Sequence, residues 1–278
     1  MLRPSTREGS AGSRKLNAWQ KEASVTSLAS AVAMFACVLS GGLTGMFVRS
    51  VLPTHHLSKE STDVVKLAMG LLATMSALVL GLITASAKSS FDTQDASVKR
   101  VAASILTLDR VLANYGPETK DIRDQIHRVV AFRIDEIWPE DGSRAGRLDT
   151  KLEGKLASER IQASILALSP QTDAQRWLQS RALQISSDVA QTTWLWLAGA
   201  GHATPLPFLL ALVFWLTIIF GSFGLFAPSN ATVITVLVVC ALSVSAAVLL
   251  VMEMDQPFDG FVKISGVPMH YALSQLGQ

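Results

Sequence analysis

The chain has 278 residues, of which 49% are hydrophobic and 17% are charged. The charged fraction lies below the roughly 25% of an ordinary soluble domain. The formal net charge of only +2 excludes a typical nucleic-acid-binding domain, which would carry a marked basic excess. Cys37 and Cys240 both lie in apolar runs and indicate small core residues, not a disulfide frame or a metal site.

The chain begins with a polar segment. Residues 1–24 are rich in Ser, Gly, Arg and Lys, a composition that predicts a mobile basic tail. Residues 25–48 carry no charge and exceed the roughly 20 residues that cross a bilayer. They predict a first membrane span, and the glycines up to Gly45 suit close packing against a neighbouring helix. A cleaved signal peptide is the alternative, although its apolar run would be shorter, roughly 7–15 residues.

Three further spans are predicted. The second covers residues 64–87, the third 206–226 and the fourth 232–252. The last two lie within residues 189–252, which contain no Lys, Arg, Asp or Glu and break at a Pro-containing turn. Four spans place both termini on one side, and the basic N-terminal segment favours the cytoplasm. The sequence therefore predicts a multi-pass protein of the cell inner (plasma) membrane with cytoplasmic termini.

Residues 88–200 predict a cytoplasmic helical domain that is continuous with the second span and leads into the third. No Gly or Pro occurs between Gly81 and Gly116, so one long helix is expected to leave the membrane. Apolar residues recur there at intervals of three and four, as in an amphipathic helix. This stripe consists of Val98, Val101, Ile105, Leu108, Leu112 and Tyr115. Shorter stripes predict three more helices, the last including Trp177, and residues 253–278 form a cytoplasmic C-terminal segment.

The second span carries one face of small or polar residues. Its members are Gly70, Thr74, Ala77, Gly81, Thr84 and Lys88. As a pore wall, small residues leave room for ions, Thr hydroxyls replace part of a hydration shell, and Lys88 at the mouth attracts anions. The alternative is tight packing of this face against the glycine-rich first span. Bulkier residues opposite either form a hydrophobic gate or contact lipid or protein: Leu72, Met75, Val79 and Ile83.

Three carboxylates, Glu253, Asp255 and Asp259, follow the fourth span at the cytoplasmic side. Hard cations take several oxygen ligands, but the spacing matches no known loop. An ion pair with a basic residue of the cytoplasmic helices is expected, with simple solvation as the alternative, so no metal and no cofactor are predicted. The chain has no GxSxG, HExxH, CxxC or Walker motif. The sequence therefore predicts a protein that is not an enzyme.

Several stretches resemble the bacterial bestrophin-like family of largely uncharacterised membrane proteins. They are FWLT at 214–217, FGSFGLFAPSNATV at 220–233, MDQPFDG at 254–260, and residues 70–110, which begin GLL. The resemblance covers roughly residues 64–276. It implies four spans, a helical cytoplasmic domain and a distant relation to bestrophins.

Bestrophins are pentameric anion channels with a pore lined by the second membrane helix and a vestibule built from the helices beyond it. This chain departs from true bestrophins because it lacks an acidic calcium clasp after the fourth span and an aromatic neck motif. What the resemblance implies for this chain is a pore along the second span and a homopentamer.

The sequence thus predicts an all-α integral membrane protein with four transmembrane helices and a cytoplasmic helical bundle, bestrophin-like in architecture. The leading hypothesis is an oligomeric channel that passes small inorganic ions, with anions favoured, along a pore lined by the second span. The alternative is a non-conducting membrane scaffold or regulatory protein whose cytoplasmic helices bind a partner. The expected partners are membrane lipid, small inorganic ions and further copies of the chain in a homopentamer, with no nucleic acid.

Overall fold

The computed structural model describes residues 9–52, 59–139, 149–199, 206–228, 230–258 and 262–277. Within these ranges the chain is helical and contains no strand, which confirms the all-α class. The helices are α1 (Gly9–Val51), α2 (Lys59–Tyr115), α3 (Lys120–Ile137), α4 (Asp149–Leu166), α5 (Asp173–Gly199), α6 (Leu206–Phe226), α7 (Ala231–Met254) and α8 (Val267–Gln275). A single 3-10 turn, Pro117–Thr119, separates α2 from α3.

The chain divides into two compact units. We call Ala23–Phe91 with His202–Val262 the membrane unit, and Met1–Glu22, Asp92–Gly201 and Lys263–Gln278 the helical unit. In the described residues, four helical stretches are long and apolar enough to cross a membrane: Leu28–Val51, Thr62–Tyr115, Pro207–Phe226 and Ala231–Met254. The number of spans confirms the prediction, and α2 continues without a break from its apolar part into the helical unit.

α1 begins earlier than the sequence suggests. The structure has helix from Gly9 onward, whereas composition predicts a mobile tail as far as residue 24. Residues 14–24 contain Arg, Lys, Leu, Ala, Gln and Glu, which are good helix formers. Because helix elongation costs far less than nucleation, such residues readily extend the helix of an adjoining span.

In the membrane unit, α1 and α6 approach each other through glycines. A Cβ added to Gly41 would lie 2.6 Å from the carbonyl oxygen of Thr217, and one added to Gly45 or Gly224 would overlap backbone atoms of the other helix. Small residues permit this approach, and the resulting packing contacts hold helices together in lipid. The glycine-rich first span therefore packs closely against a neighbour, as predicted, and that neighbour is α6.

A hydrophobic cluster joins α1, α6 and α7. Its buried members are Met34, Val38, Leu212, Phe220, Leu237, Ala241 and Val248. Side chains contribute to the hydrogen bonds of the turn between α6 and α7: Arg49 donates to the carbonyl oxygen of Ala227, and Val233 N–H donates to Asn230 Oδ1 at 3.0 Å. Asn230 is thus the N-cap of α7, a position where its side chain satisfies one of the helix's free N–H groups.

In the helical unit, the predicted stripe of α2 is the buried face. Every member is buried: Val98, Val101, Ile105, Leu108, Leu112 and Tyr115. α3 contributes a second buried row, and α4 packs against both α3 and α5. Trp177 was expected on the buried stripe of α5, but its side chain is 65% exposed, so that part of the prediction is wrong.

α2 is followed by Gly116, whose backbone conformation is one that glycine adopts readily. Gly116 has φ 142°, a backbone conformation that residues with a Cβ rarely adopt. The buried hydroxyl of Thr119 lies 2.6 Å from the carbonyl oxygen of Leu112, in the last turn of α2. The C-terminal segment returns to α3, where Trp138 Nε1 donates to the carbonyl oxygen of Ile264 at 2.8 Å and α8 packs.

Candidate functional site

α2 has two contrasting faces within the membrane unit. On one face, Ile83 and Ala87 are buried in a cluster with Val251 and Met254 of α7. Val79 and Phe91 pack against the same cluster. This contact sets the rotation of α2 about its own axis, and therefore decides which of its side chains face outward.

The small and polar face that the sequence singles out lies on the exposed side of α2, which also carries the large apolar residues Leu71, Leu78 and Leu82. All residues of this face are exposed: Gly70, Thr74, Ala77, Gly81, Thr84 and Lys88. Nothing in the described part of the chain comes within 4 Å of a Cβ built on Gly70 or on Gly81. The glycines Gly41 and Gly45 of α1 contact α6.

The two threonine hydroxyls of this face donate their protons to backbone carbonyl oxygens. Thr74 Oγ1 donates to the carbonyl oxygen of Leu71 at 2.8 Å, and Thr84 Oγ1 donates to that of Leu80 at 2.7 Å. A hydroxyl has one proton and two lone pairs, so each oxygen keeps its capacity to accept. In these rotamers the middle of the face therefore offers acceptors, which suit a cation or water.

Positive charge stands at the end of the face. Lys88 Nζ lies 5.7 Å from the centroid of the Phe91 ring, within the roughly 6 Å at which an ammonium is attracted to an aromatic face. The ring itself packs against the α2–α7 cluster. Sequence reasoning missed Phe91, although a lysine and an aromatic residue three positions apart on a helix are neighbours.

The gate candidates do not share one environment. Ile83 is buried and Val79 is half-buried against α7. In the single chain these two residues thus contact protein, which is one of the environments weighed for them against a gate. Leu72 is half-buried, whereas Met75 is 48% exposed. The structure therefore separates Val79 and Ile83, whose contacts lie within the chain, from Met75.

The acidic residues after the fourth span differ in burial. Glu253 is buried at the end of α7 and Asp255 is half-buried, while Asp259 lies outside the described residues. Among the residues that the structure describes, no three His, Cys, Asp or Glu side chains are grouped so that they could hold a metal ion.

A buried ion pair in the helical unit escaped the sequence analysis. Asp109 of α2 is 1% exposed and is hydrogen-bonded by Arg123 of α3. The only signal in the sequence is a carboxylate next to Leu108 and three residues before Leu112, inside an apolar stripe. A charge in such a position requires a partner, because an unpaired buried charge is very costly.

The fold and this face define an all-helical membrane protein with four spans and one long helix that leaves the membrane unit. The sequence matches the Bestrophin-like domain over residues 35–269, which is most of the chain. The chain belongs to the bestrophin-like family. No curated protein matches the sequence.

Two solved structures share the fold. One is a crystal structure of a bacterial bestrophin homolog from Klebsiella pneumoniae carrying a point mutation. It has 15% sequence identity and a TM-score of 0.59, over 90% of this chain and 100% of that one. The other is a crystal structure of a mutated membrane protein, with 15% identity and a TM-score of 0.55, over 90% of this chain and 99% of that one. At this identity the likeness concerns the fold alone.

Proposed function

We propose that the protein is an oligomeric membrane channel that passes small ions along a pore lined by α2. Family membership supports a channel, since the bestrophin-like family is related to the bestrophins, which are ion channels. The observation that carries the proposal is the exposure of the small and polar face of α2 within a single chain. That face is contiguous along the apolar part of the helix and ends at Lys88.

Exposure of this face supports a pore because the medium around a single membrane-spanning chain is lipid. A span that presents Thr hydroxyls and glycines to lipid forgoes packing contacts, and a charge in the bilayer is costly. Several copies arranged around an axis would turn the face away from lipid and toward a shared aqueous path. A closed ring is the ordinary symmetry of such assemblies, and the five-fold ring of bestrophins is the one we propose. Membrane lipid would surround the remaining span surface.

We propose anions as the permeant ions. Thr74 and Thr84 offer acceptor oxygens and do not select anions by themselves. Lys88 is the basic residue at the end of the face, and one ammonium per copy would form a ring of positive charge there. Such a ring raises the local concentration of anions and opposes cations. In this arrangement the protein lies in the inner membrane, with the helical unit and both termini in the cytoplasm.

The test is electrical recording from purified full-length protein in planar bilayers under a KCl gradient, together with the native mass in detergent. We expect unitary currents, a reversal potential closer to the chloride than to the potassium equilibrium potential, and an oligomeric mass. Absence of current across a range of salts and pH values, combined with a monomeric mass, would sink the channel proposal.

One observation favours the alternative of a scaffold whose helices bind a partner. Trp177 and Leu166 of the helical unit are 65% and 64% exposed, and large exposed apolar side chains mark interaction surfaces. A scaffold predicts that Trp177→Ala abolishes stoichiometric recovery of a partner from membranes. It also predicts that substitutions on the small face of α2 leave the function of the protein unchanged.

A further inference from the structure

We infer that the C-terminal end of α5, residues 189–199, lies in the headgroup layer of the membrane, where Trp194 and Leu195 contact lipid. We call these residues the α5 end. The inference goes beyond the proposed channel, because it assigns a lipid-binding surface outside the four predicted spans and does not depend on ion conduction.

Charge and burial both stop at nearly the same place along α5. The helix carries four charged residues, all of them exposed: Asp173, Arg176, Arg181 and Asp188. The last buried residue of α5 among those described is Ser186. From Val189 to Leu195 no side chain is charged and none is buried. A helix surface that faces water ordinarily carries charged and polar residues, so the α5 end suits neither water nor the core of the helical unit.

The most exposed apolar side chains of the α5 end are large. Trp194 is 49% exposed and Leu195 is 67% exposed. Thr192 and Thr193 each donate their hydroxyl proton to the carbonyl oxygen four residues earlier, at 2.8 Å, so neither proton requires water. A tryptophan ring is apolar and its N–H is polar, which is why tryptophan is enriched at the headgroup level of membranes. The side chains therefore fit an interface between water and lipid.

The connection to the next span selects lipid as the partner of this surface. α6, which is long and apolar enough to cross a membrane, begins at Leu206, and only residues 200–205 separate it from Gly199. Seven chain steps reach roughly 25 Å at most. Residues 200–205 contain no Lys, Arg, Asp or Glu, so the charge-free run of the span continues back through the α5 end without interruption. Residues 189–205 thus form an uncharged approach to the membrane.

The experiment measures the surroundings of a nitroxide label at two leucines of similar exposure. Leu195 is 67% exposed, and Leu166, the last residue of α4, is 64% exposed. Leu195→Cys and Leu166→Cys are made in full-length protein carrying Cys37→Ala and Cys240→Ala, labelled, and reconstituted into phosphatidylcholine vesicles. Electron paramagnetic resonance then compares collisions of each label with oxygen, which concentrates in lipid, and with a water-soluble nickel chelate. We expect the ratio of oxygen to nickel accessibility to be severalfold higher at Leu195.

Tryptophan fluorescence provides a second measurement that needs no label. In vesicles of phosphatidylcholine brominated on its acyl chains, a tryptophan in contact with lipid is quenched and one in water is not. Trp194→Phe should therefore lower the quenched fraction of the total fluorescence. Trp177 lies in the charged part of the same helix and is 65% exposed, so Trp177→Phe should raise that fraction. Both variants keep an aromatic ring at an exposed position, and circular dichroism checks that they fold.

Three results would overturn the inference. A label at Leu195 that meets the nickel chelate as readily as the label at Leu166 would place the α5 end in water. Low accessibility of the Leu195 label to both reagents would mean that protein covers the surface, for example a second copy of the chain. Changes of the same sign in Trp194→Phe and Trp177→Phe would show that the two tryptophans do not differ in their contact with lipid.

Discussion

Arg123 of α3 binds Asp109 of α2 through two parallel hydrogen bonds, from Nε to Oδ1 at 2.7 Å and from Nη2 to Oδ2 at 2.9 Å. The bond to Asp109 is the main reason why the pKa of the Arg123 guanidinium is raised above its usual value. Asp109 Oδ2 also lies 3.4 Å from the backbone N of Gly277. One buried carboxylate thus connects α2, α3 and the C-terminal end within the helical unit.

Replacing one partner of this pair should destabilise the protein strongly. We expect Asp109→Ala to lower the free energy of unfolding by about 3–5 kcal/mol, because it leaves the Arg123 guanidinium without its carboxylate in a mostly buried place. Thermal unfolding of the detergent-purified protein, followed by circular dichroism, measures the loss.

The pair of Lys99 and Asp95, also on α2, provides the control. Its atoms are 2.6 Å apart, but the Lys99 side chain is 61% exposed. Exposed pairs within a helix contribute only about 0.3–0.5 kcal/mol, so Asp95→Asn should hardly move the unfolding temperature. Similar losses for Asp109→Ala and Asp95→Asn would contradict the special role of the buried pair.

Alanine scanning of glycines should distinguish the glycines at the contact of α1 with α6 from those of α2. Gly45→Ala and Gly224→Ala place a methyl group against backbone of the opposite helix. We expect each to cost about 1–3 kcal/mol, the usual penalty of overpacking. Gly81→Ala meets nothing within 4 Å in the described residues and should be neutral or stabilise by up to about 1 kcal/mol, because alanine favours helix. Apparent unfolding temperatures of the three variants provide the measurement.

Bulk added to the small face of α2 should reduce ion flow. Ala77→Leu places a larger side chain on the proposed pore wall, so we expect unitary conductance to fall severalfold with the oligomer intact. Ser86→Leu adds similar bulk at another small, exposed residue of α2, on the opposite side of the helix from Ala77. It should leave conductance near wild type. Single-channel recording of both variants decides, and equal conductances would count against a pore along this face.

The Tyr115 hydroxyl should be dispensable for stability. It is buried and has no hydrogen-bond partner among the described residues, and an unsatisfied buried polar group costs about 1–3 kcal/mol. Tyr115→Phe should therefore unfold at an equal or higher temperature than wild type. Trp138→Phe removes the bond to Ile264 and should lose about 0.5–1.5 kcal/mol. A destabilised Tyr115→Phe would mean that the hydroxyl has a partner.

Periodicity was enough to predict which side of α2 is buried in the helical unit. The stripe from Val98 to Tyr115 is buried throughout, because an amphipathic helix can bury only its apolar side. The charge-free runs likewise predicted the spans, since lipid excludes charge. Trp177 shows where this reasoning fails: its place in the sequence fits a buried stripe, yet its side chain is exposed.

The choice of neighbour could not be read from the chain. Gly41 and Gly45 predict close packing equally well against α2 or α6, because both helices carry small residues at suitable intervals. The sequence by itself determined that the protein is helical, spans the membrane four times and has one small face on α2. Only the tertiary structure decided that the glycines of α1 pack against α6 and that Ile83 packs against α7. The reason is physical: a contact depends on two surfaces whose backbones fit together, whereas a periodic pattern describes only one of them.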